Sequence, residues 1–267
     1  MRVARLNVTP VKGTQLRQRN VVDLGSHGVT DNRCFYLIDQ RGLMFNGKKD
    51  GRLVQISADY VPQSKRLMLQ FPGGQDVGGV WTAGAPVTTN FYGRPVAGHE
   101  VIGPWSQALS EFVDQPVRLV ATDQPGDAID VHPVTIISNS SIELLRRSKL
   151  GAERLDYRRF RMLIELDGTE AHVEDGWRGQ HVRVGSAVIE VIGPVPRCVV
   201  VSQNPESGKS DFDTLRAILS YRGAMSEDLS TPTAHLPDGG KIVFGVYGQV
   251  KEPGRVAVGD GASVVGG

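Results

Sequence analysis

Short apolar runs rich in valine, isoleucine and leucine alternate with polar, turn-forming breaks along the whole chain. The 32 glycines and 15 prolines are spread over its length instead of forming one linker. Short apolar runs bounded by such residues are typical of β-strands, and the turn at Gly42 predicts a hairpin. The N-terminal part is therefore predicted to be almost purely β, with strands at Arg2–Val8, Val21–Leu24, Cys34–Asp39, Leu43–Asn46, Leu53–Tyr60, Arg66–Phe71, Val87–Phe91 and Pro95–Val101.

Three segments carry helical signals instead. Trp105–Val113 has its apolar residues on one side and is followed by an aspartate and a proline that end it. A second helix is predicted from a capping box, Ser140 with Glu143, and from Gly151 after its last turn. The third, Asp211–Leu219, begins on an aspartate suited to cap it. The remaining strands are predicted at Val117–Ala121, Val134–Ile137, Arg161–Leu166, His181–Val184, Ala187–Ile192, Cys198–Ser202, Ile242–Val250, Arg255–Val258 and Ser263–Val265.

This order of elements predicts the fold class. Strands followed by strands with a few helices do not fit a regular βαβ winding, so a mainly β protein with a few helices is expected. Closed β-barrels with short peripheral helices fit the order best. The polar, turn-rich stretch after residue 120 suggests a boundary, which divides the chain into residues 1–120 and 121–267.

Charge and composition exclude several classes of protein. The 30 basic and 29 acidic side chains nearly cancel, so no nucleic-acid partner or anionic membrane surface is indicated. Two cysteines do not form a disulfide framework, and the first residues lack the apolar core of a signal peptide. No apolar window reaches the roughly 18 residues of a membrane span. A cytoplasmic protein without a membrane anchor is expected.

Cys198 is the leading candidate for chemistry. Pro194 and Pro196 should keep its approach extended, and the cationic Arg197 immediately before it would favour the thiolate. The alternative is a buried, inert cysteine that begins a valine-rich strand, and the local residues favour that alternative when taken alone. A single cysteine without nearby cysteine or histidine ligands argues against a zinc site.

Other polar residues are weaker candidates. Lys12 precedes Gly13, whose backbone amide could approach an anion, and Arg33 and Arg161 precede apolar strands. Each cation is more often an ordinary surface charge. The capped helix start near Ser140 offers amides and a positive dipole end to an anion, although ordinary capping is the more common explanation of such a start. The stretch from Asp130 to His132 places a carboxylate and an imidazole at a strand entrance or in a plain polar loop.

Taken in order, several motifs resemble those of the MOSC family. They are TPVKG, DNRCFYLIDQRG, SNSSIELL, RRFRMLIEL, EDGWRGQHVRVGSAVIEV, PVPRC, LRAILSYR, FGVYGQV and EPGRVAVGD, and they span nearly the whole chain. The resemblance implies an N-terminal MOSC β-barrel-like domain followed by a MOSC β-barrel domain similar to the barrel domain of pyruvate kinase. It also implies binding of a molybdenum cofactor, because family members that reduce N-hydroxylated bases hold molybdopterin.

The same resemblance implies roles for individual residues. Cys198 would ligate molybdenum, and Asp130 would act beside the metal. Lys12, Arg33 and Arg161 would hold the pterin and its phosphate, in keeping with the preference of phosphates for cations. A soft thiolate also suits molybdenum. The full set implied for cofactor binding is Lys12, Gly13, Arg33, His132, Ser138, Arg161, Arg197, Cys198 and Tyr247.

The sequence also departs from the family pattern. Met162 and Leu163 replace the usual Pro-Asn pair, and Gly13 replaces a cofactor-binding serine of some members, so that only its amide could serve. His132 falls where those reductases carry a hydroxyl. Neither a cysteine-rich extension nor an aminotransferase-like part is present, so no iron–sulfur cluster and no pyridoxal phosphate are expected in this chain.

Two functions follow from the resemblance. The first is a molybdenum oxidoreductase that reduces N-hydroxylated small molecules, with electrons from separate flavin or iron–sulfur proteins. The alternative is a non-catalytic carrier of molybdenum cofactor or of sulfur, with Cys198 as transient ligand or sulfur acceptor. A plain barrel domain with a buried thiol is the third reading.

Overall fold

The computed structural model describes residues 1–148, 150, 155–222 and 242–266. The described residues are mainly β, as predicted, with three α-helices: α1 (Trp105–Val113), α2 (Asn139–Arg147) and α3 (Thr214–Arg222). The strands are β1 (Arg2–Val8), β2 (Arg17–Arg19), β3 (Val21–Gly25), β4 (Gly28–Val29), β5 (Phe35–Asp39), β6 (Met44–Phe45), β7 (Ser57–Val61), β8 (Arg66–Gln70), β9 (Asp76–Val80), β10 (Thr82–Phe91), β11 (Arg94–Ile102), β12 (Val117–Thr122), β13 (Val134–Ser138), β14 (Ile164–Asp167), β15 (His181–Val184), β16 (Ala187–Pro196), β17 (Val243–Glu252), β18 (Gly254–Ala257) and β19 (Ala262–Val265). Short 3₁₀ helices lie at Gly51–Gln55, Pro62–Ser64, Tyr157–Phe160, Val173–Trp177 and Val199–Ser202.

The strands form two large and two small sheets. The largest has eight strands in the order β19-β15-β16-β17-β13-β14-β1-β2, and the second has five in the order β10-β11-β12-β5-β6. Two three-stranded sheets, β18-β3-β4 and β7-β8-β9, complete the described part. Within that part neither large sheet closes on itself, so the expectation of closed barrels is wrong. The similarity to the pyruvate kinase barrel domain stays a prediction.

The beginning of the chain is built into the sheet of its second half. β1 lies between β14 and β2, with Val3 opposite Leu166, and β3 pairs with β18, with Leu24 opposite Gly254. Buried aliphatic side chains from both halves share one core beneath this sheet. The division at residue 120 stays a prediction, but the interlocking explains how residues just after β1 reach the second half.

Separate apolar cores hold the remaining layers in place. Phe35, Leu53 and Trp105 are fully or almost fully buried in the core of the N-terminal half. Phe160 and Phe244 belong to another core beside α2 and α3, with ring centroids 4.8 Å apart. Full burial of such side chains stabilises a fold by about 1.5–3 kcal/mol each. The loops that leave these cores are therefore firmly anchored.

The helix signals were partly misread. α1 has the predicted bounds, whereas α2 is capped by Ser138, whose hydroxyl accepts a hydrogen bond from the backbone N–H of Ser141. The predicted capping box is wrong, because the carboxylate of Glu143 pairs with two arginines one turn later. Gly151 lies outside the described residues. α3 begins three residues later than predicted, and Asp213, not Asp211, accepts from the backbone of its first turn.

Three segments predicted as strands begin differently. Cys198–Ser202 is a 3₁₀ turn with Cys198 at its N-cap, because β16 extends to Pro196 and the chain then bends to bury Val201. Arg161 ends a 3₁₀ helix in a left-handed conformation, and the strand starts only at Ile164. Leu53 likewise lies in a 3₁₀ helix before β7. In each case tertiary packing overrides the local β preference.

Candidate functional site

A cleft with a volume of about 450 Å³ opens between the two halves of the chain. Most of the residues that the sequence predicted for a site line this one cleft. They are Lys12, Gly13, Arg33, Asp130, His132, Arg161, Arg197, Cys198 and Tyr247. The cations therefore share one cleft, and the thiol also lines it instead of being enclosed among apolar side chains.

Cys198 stands where β16 ends and the chain turns. Pro196 is the last residue of the strand, and the extended backbone of Cys198 (φ −129°, ψ 177°) starts the following 3₁₀ turn. The side chain is half-buried, and among the described residues its sulfur has no hydrogen-bond partner. The sulfur is thus available to a ligand in the cleft.

Lys12 is delivered to the cleft by the loop after β1. The loop is held by an isolated parallel bridge between Val11 and Phe35, and Gly13 turns it with a left-handed φ of 94°. The lysine is only 6% exposed, and its Nζ donates to the backbone oxygen of Ala128 and to Asp130 Oδ1, each at 2.6 Å. Lys12 is therefore a buried cation in a fixed position.

Arg33 and Arg161 share an uncommon backbone. Both adopt left-handed φ values, 54° and 53°, which cost free energy in a non-glycine residue and often mark functional positions. The Arg33 guanidinium donates to Asn32 Oδ1 at 3.0 Å and to the backbone oxygen of Arg161 at 3.2 Å. Arg161 in turn donates to the backbone oxygen of Thr14 at 2.7 Å. These bonds aim the two arginines and leave most of their donors for a ligand.

Burial lowers the pKa of each of the three cations, and Arg33 lowers that of the other two further. Burial lowers the pKa of Lys12, and Arg33 and Arg161 lower it further, although Asp130 opposes them. Burial also lowers the pKa of Arg33, and burial together with the charge of Arg33 lowers that of Arg161 from 12.5 to about 9. With three cations around one carboxylate, this part of the cleft favours an anionic ligand.

Asp130 is the carboxylate of this cluster. Burial alone would raise its pKa, but the charges of Lys12, Arg33 and Lys48 and the hydrogen bond from Lys12 outweigh burial and lower it. Its side chain remains 48% exposed inside the cleft. Asp130 is thus ionised at neutral pH and accessible to a bound molecule.

The rings of His132 and Tyr247 are in contact in the wall of the cleft. Their ring centroids lie 5.5 Å apart in an edge arrangement, and β17 carries the tyrosine beside Gly245. Burial raises the pKa of Tyr247 to about 12, and burial lowers the pKa of His132. Both groups are therefore neutral at pH 7 and offer hydrogen bonds without charge.

Arg197 has a role different from that of the other cations. Its guanidinium donates to the backbone oxygens of Phe244 and Phe160 and contacts the sulfur of Met162 at 2.9 Å. Burial lowers its pKa to about 10. Most of its donors are thus used to hold the loops that carry Arg161 and Cys198, so Arg197 acts mainly as a positioning residue. Met162, which departs from the family pattern, takes part in this support.

Ser138 is the one predicted site residue that the structure does not bring to the cleft. It is 1% exposed, caps α2, and donates its backbone N–H to Glu174 Oε1 at 3.1 Å. Its hydroxyl contacts that of Ser141 at 2.5 Å. The motif around Ser138 therefore serves capping, which was the plainer of the two interpretations.

Several residues of the N-terminal half that line the cleft were not predicted. Asn46, Lys48 and Tyr92 also line the cleft. The Lys48 ammonium lies 5.1 Å from the centre of the Tyr92 ring. The available signal was the Tyr-Gly pair between the predicted strands Val87–Phe91 and Pro95–Val101, because a tyrosine is unfavourable in a tight hairpin turn.

The fold and the cleft define a mainly β protein whose cleft holds a thiol and a cluster of buried and half-buried cations. Comparison with known families then identifies the class. The model of the MOSC domain matches residues 123–263, and the model of the MOSC N-terminal beta barrel domain matches residues 1–100. The chain belongs to the MOSC family, as the motifs predicted.

Curated relatives share low identity over nearly the whole chain. Mitochondrial amidoxime-reducing component 1 of Xenopus laevis is 25% identical over 97% of this chain and 80% of its own length. The human protein of that name is also 25% identical, with coverages of 99% and 83%. Molybdenum cofactor sulfurase of Danio rerio is 21% identical over 92% of this chain but only 31% of its own length. These names support a function related to the molybdenum cofactor.

Among solved structures, the YUAD protein from Bacillus subtilis matches all of this chain and 96% of its own, with a TM-score of 0.45 and 11% identity.

Within the described part of the chain, no helix is long and apolar enough to cross a bilayer. The cytoplasmic location stays a prediction.

Proposed function

We propose that this protein is a molybdenum oxidoreductase that reduces N-hydroxylated small molecules. The observation that carries the proposal is the convergence of Cys198, Lys12, Arg33, Arg161 and Asp130 on one cleft. Relatives named as amidoxime-reducing components support the reaction class.

The residues present fit a molybdopterin. A phosphate and a pterin need cations and directed donors, and the left-handed Arg33 and Arg161 keep donors that no described protein group accepts. The sulfur of Cys198 has no hydrogen-bond partner among the described residues and suits a soft metal. When bound, the cofactor would supply the two-electron redox chemistry. Tyr247 would offer its hydroxyl to the pterin.

Asp130 would serve the substrate. Reduction of an N–OH group to N–H consumes two electrons and two protons and releases water. The ionised carboxylate can accept a hydrogen bond from the substrate and hold the N–O group in place. Lys12, bonded to Asp130 at 2.6 Å, fixes the carboxylate in place and keeps it ionised. Electrons would come from separate flavin or iron–sulfur proteins.

The test is metal analysis and reductase activity of protein expressed with molybdate. We expect about one molybdenum per chain, and reduction of an amidoxime to its amidine with a chemical or protein electron donor. Cys198→Ala should lose both metal and activity, while Cys34→Ala should keep both. Retained activity in Cys198→Ala would refute the role of ligand.

A second candidate, a carrier of cofactor or sulfur, is favoured by the likeness to molybdenum cofactor sulfurase. Cys198 would then accept sulfur or hold the cofactor transiently. A persulfide on Cys198 in mass spectrometry, or transfer of cofactor to an apo-enzyme without substrate turnover, would support the carrier. Turnover of the amidoxime would favour the reductase.

A further inference from the structure

The tip of the β10–β11 hairpin carries an unexpected residue into the cleft. Tyr92 and Gly93 form the two-residue turn, since Phe91 pairs with Arg94. Both turn residues have positive φ values, 52° and 96°. This is the pattern of a type I′ turn, for which Asn-Gly or Gly-Gly is the favoured pair.

A tyrosine in this backbone costs stability that asparagine or glycine would not. The rest of the turn is well made, because the backbone N–H of Gly93 donates to Asn90 Oδ1 at 2.7 Å. Burial of the Tyr92 ring in a core does not offset this cost, since the residue is 46% exposed. A strained residue that gains little from packing calls for a role in the cleft that it lines.

The surroundings of the Tyr92 hydroxyl define that role. The side chain of Asn46 also lines the cleft and interacts with the phenol. Asn46 Oδ1 already accepts the backbone N–H of Lys48 at 2.9 Å, which leaves the Asn46 amide group to donate to the phenol. A phenol that accepts from Asn46 keeps its own O–H free to donate to a ligand.

Tyr92 also lies near the reacting groups of the proposed site. Partial burial of the hydroxyl raises its pKa, and electrostatic interaction with Asp130 and Cys198 raises it further. The phenol is therefore neutral at pH 7 and remains a donor. It approaches from the N-terminal half, whereas Cys198 and Tyr247 belong to the second half.

We propose that Tyr92 is a substrate-contacting residue that roofs the cleft over Cys198 and donates a hydrogen bond from its hydroxyl to the substrate oxygen. This inference rests on the proposed reductase for the identity of the substrate. Its ring would also restrict the cleft to flat substrates that can lie beneath it. Asn46 then acts as a positioning residue for the hydroxyl.

Tyr92→Asn, Tyr92→Phe and a control variant, Lys65→Asn, test the proposal. Lys65 has the same left-handed backbone (φ 51°) but does not line the cleft. Without cofactor, Tyr92→Asn should unfold at a Tm equal to or above that of the wild type. Iodoacetamide should alkylate its Cys198 severalfold faster, as mapped by mass spectrometry. Tyr92→Phe and Lys65→Asn should leave the alkylation rate unchanged.

With cofactor, Tyr92→Phe should lower kcat/KM for the amidoxime about tenfold, as expected for one lost hydrogen bond. Unchanged kcat/KM would overturn the contact with the substrate. An unchanged alkylation rate in Tyr92→Asn would overturn the roof, and a fall in its Tm would make Tyr92 a structural residue. The wild type could be inactive while the alkylation of Cys198 still depends on Tyr92. That result would refute the reductase and the substrate contact but support the position of Tyr92 over Cys198.

Discussion

Replacing Arg161 by glycine should stabilise the cofactor-free protein while weakening its hold on the cofactor. Two features of Arg161 lower the stability of the folded protein: its left-handed backbone with φ 53°, and its desolvated charge beside Arg33. Glycine adopts this backbone readily and removes the charge. The benefit is opposed by loss of the hydrogen bond to Thr14 and by the greater freedom of glycine in the unfolded chain.

The magnitude follows from the pKa of Arg161. A fall from 12.5 to about 9 corresponds to roughly 5 kcal/mol of less favourable charging in the folded state. Solvent in the cleft screens much of this, and the lost hydrogen bond offsets about 1 kcal/mol. We therefore expect a net gain of about 1–3 kcal/mol in the free energy of unfolding, or about 2–4 °C in Tm per kcal/mol.

The gain should depend on pH in a defined direction. Because the folded-state pKa of Arg161 lies below the unfolded value, its charge destabilises the fold fully below about pH 9. The penalty is lost as the pH rises from about 9 towards 12.5. The difference between variant and wild type should thus be constant near neutral pH and shrink in alkali.

Urea unfolding of both proteins without cofactor, at several pH values, measures this difference. Arg161→Lys, which keeps a charge and the backbone burden, is the control and should show little of the gain. Molybdenum content after expression should fall in Arg161→Gly. A variant that is less stable than the wild type by 1 kcal/mol or more would refute the view of Arg161 as a strained, ligand-binding cation.

Three further outcomes are expected. Cys198→Ser should change the free energy of unfolding of the cofactor-free protein by less than about 0.5 kcal/mol, since its sulfur is partly exposed; a larger loss in urea unfolding would mean a core role. Gly245→Ala should cost about 2–4 kcal/mol, because φ is 75° and a Cβ would lie 2.7 Å from a methionine methyl carbon and 2.9 Å from a carbonyl oxygen, whereas Gly176→Ala, with no atom within 4 Å, should be neutral. Lys12→Met should raise the pKa of Asp130 in an NMR titration, and an unchanged pKa would contradict the pairing. Because the wild-type contact stabilises the fold above the ordinary carboxyl pKa and is lost in acid, the variant should also lose that part of the pH dependence of stability.

Much of the fold could be predicted because local signals and tertiary packing agree. α1 and β15 have the predicted bounds, since their apolar periodicity matches the faces that they bury. Cys198 and Arg161 were placed in strands, because valine-rich and aromatic runs favour β structure. Their actual turns depend on contacts with residues far along the chain, such as the oxygens of Phe160 and Phe244 that bind Arg197. No local pattern carries that information.

The site shows the same contrast. Motif resemblance predicted Lys12 and Arg33, which the structure places in the cleft, because short, ordered motifs carry them. Tyr92 and Lys48 were missed, since they reach the cleft through a hairpin tip and a loop whose positions depend on the packing of the two halves. Ser138 was predicted to bind the cofactor but lies outside the cleft. The sequence of a helix start is the same whether its N-terminus binds an anion or is only capped.

The pairing of β1 with β14 and of β3 with β18 has a consequence for biosynthesis. On the ribosome, Val3 and Leu24 must wait for partners at Leu166 and Gly254 to be translated. Such distant pairings slow folding, because loop closure precedes the gain from contacts. Lys12, which follows β1, thus reaches its final place only after Leu166 has been translated. Cofactor loading is therefore expected after translation, and nascent chains truncated before residue 254 should capture none.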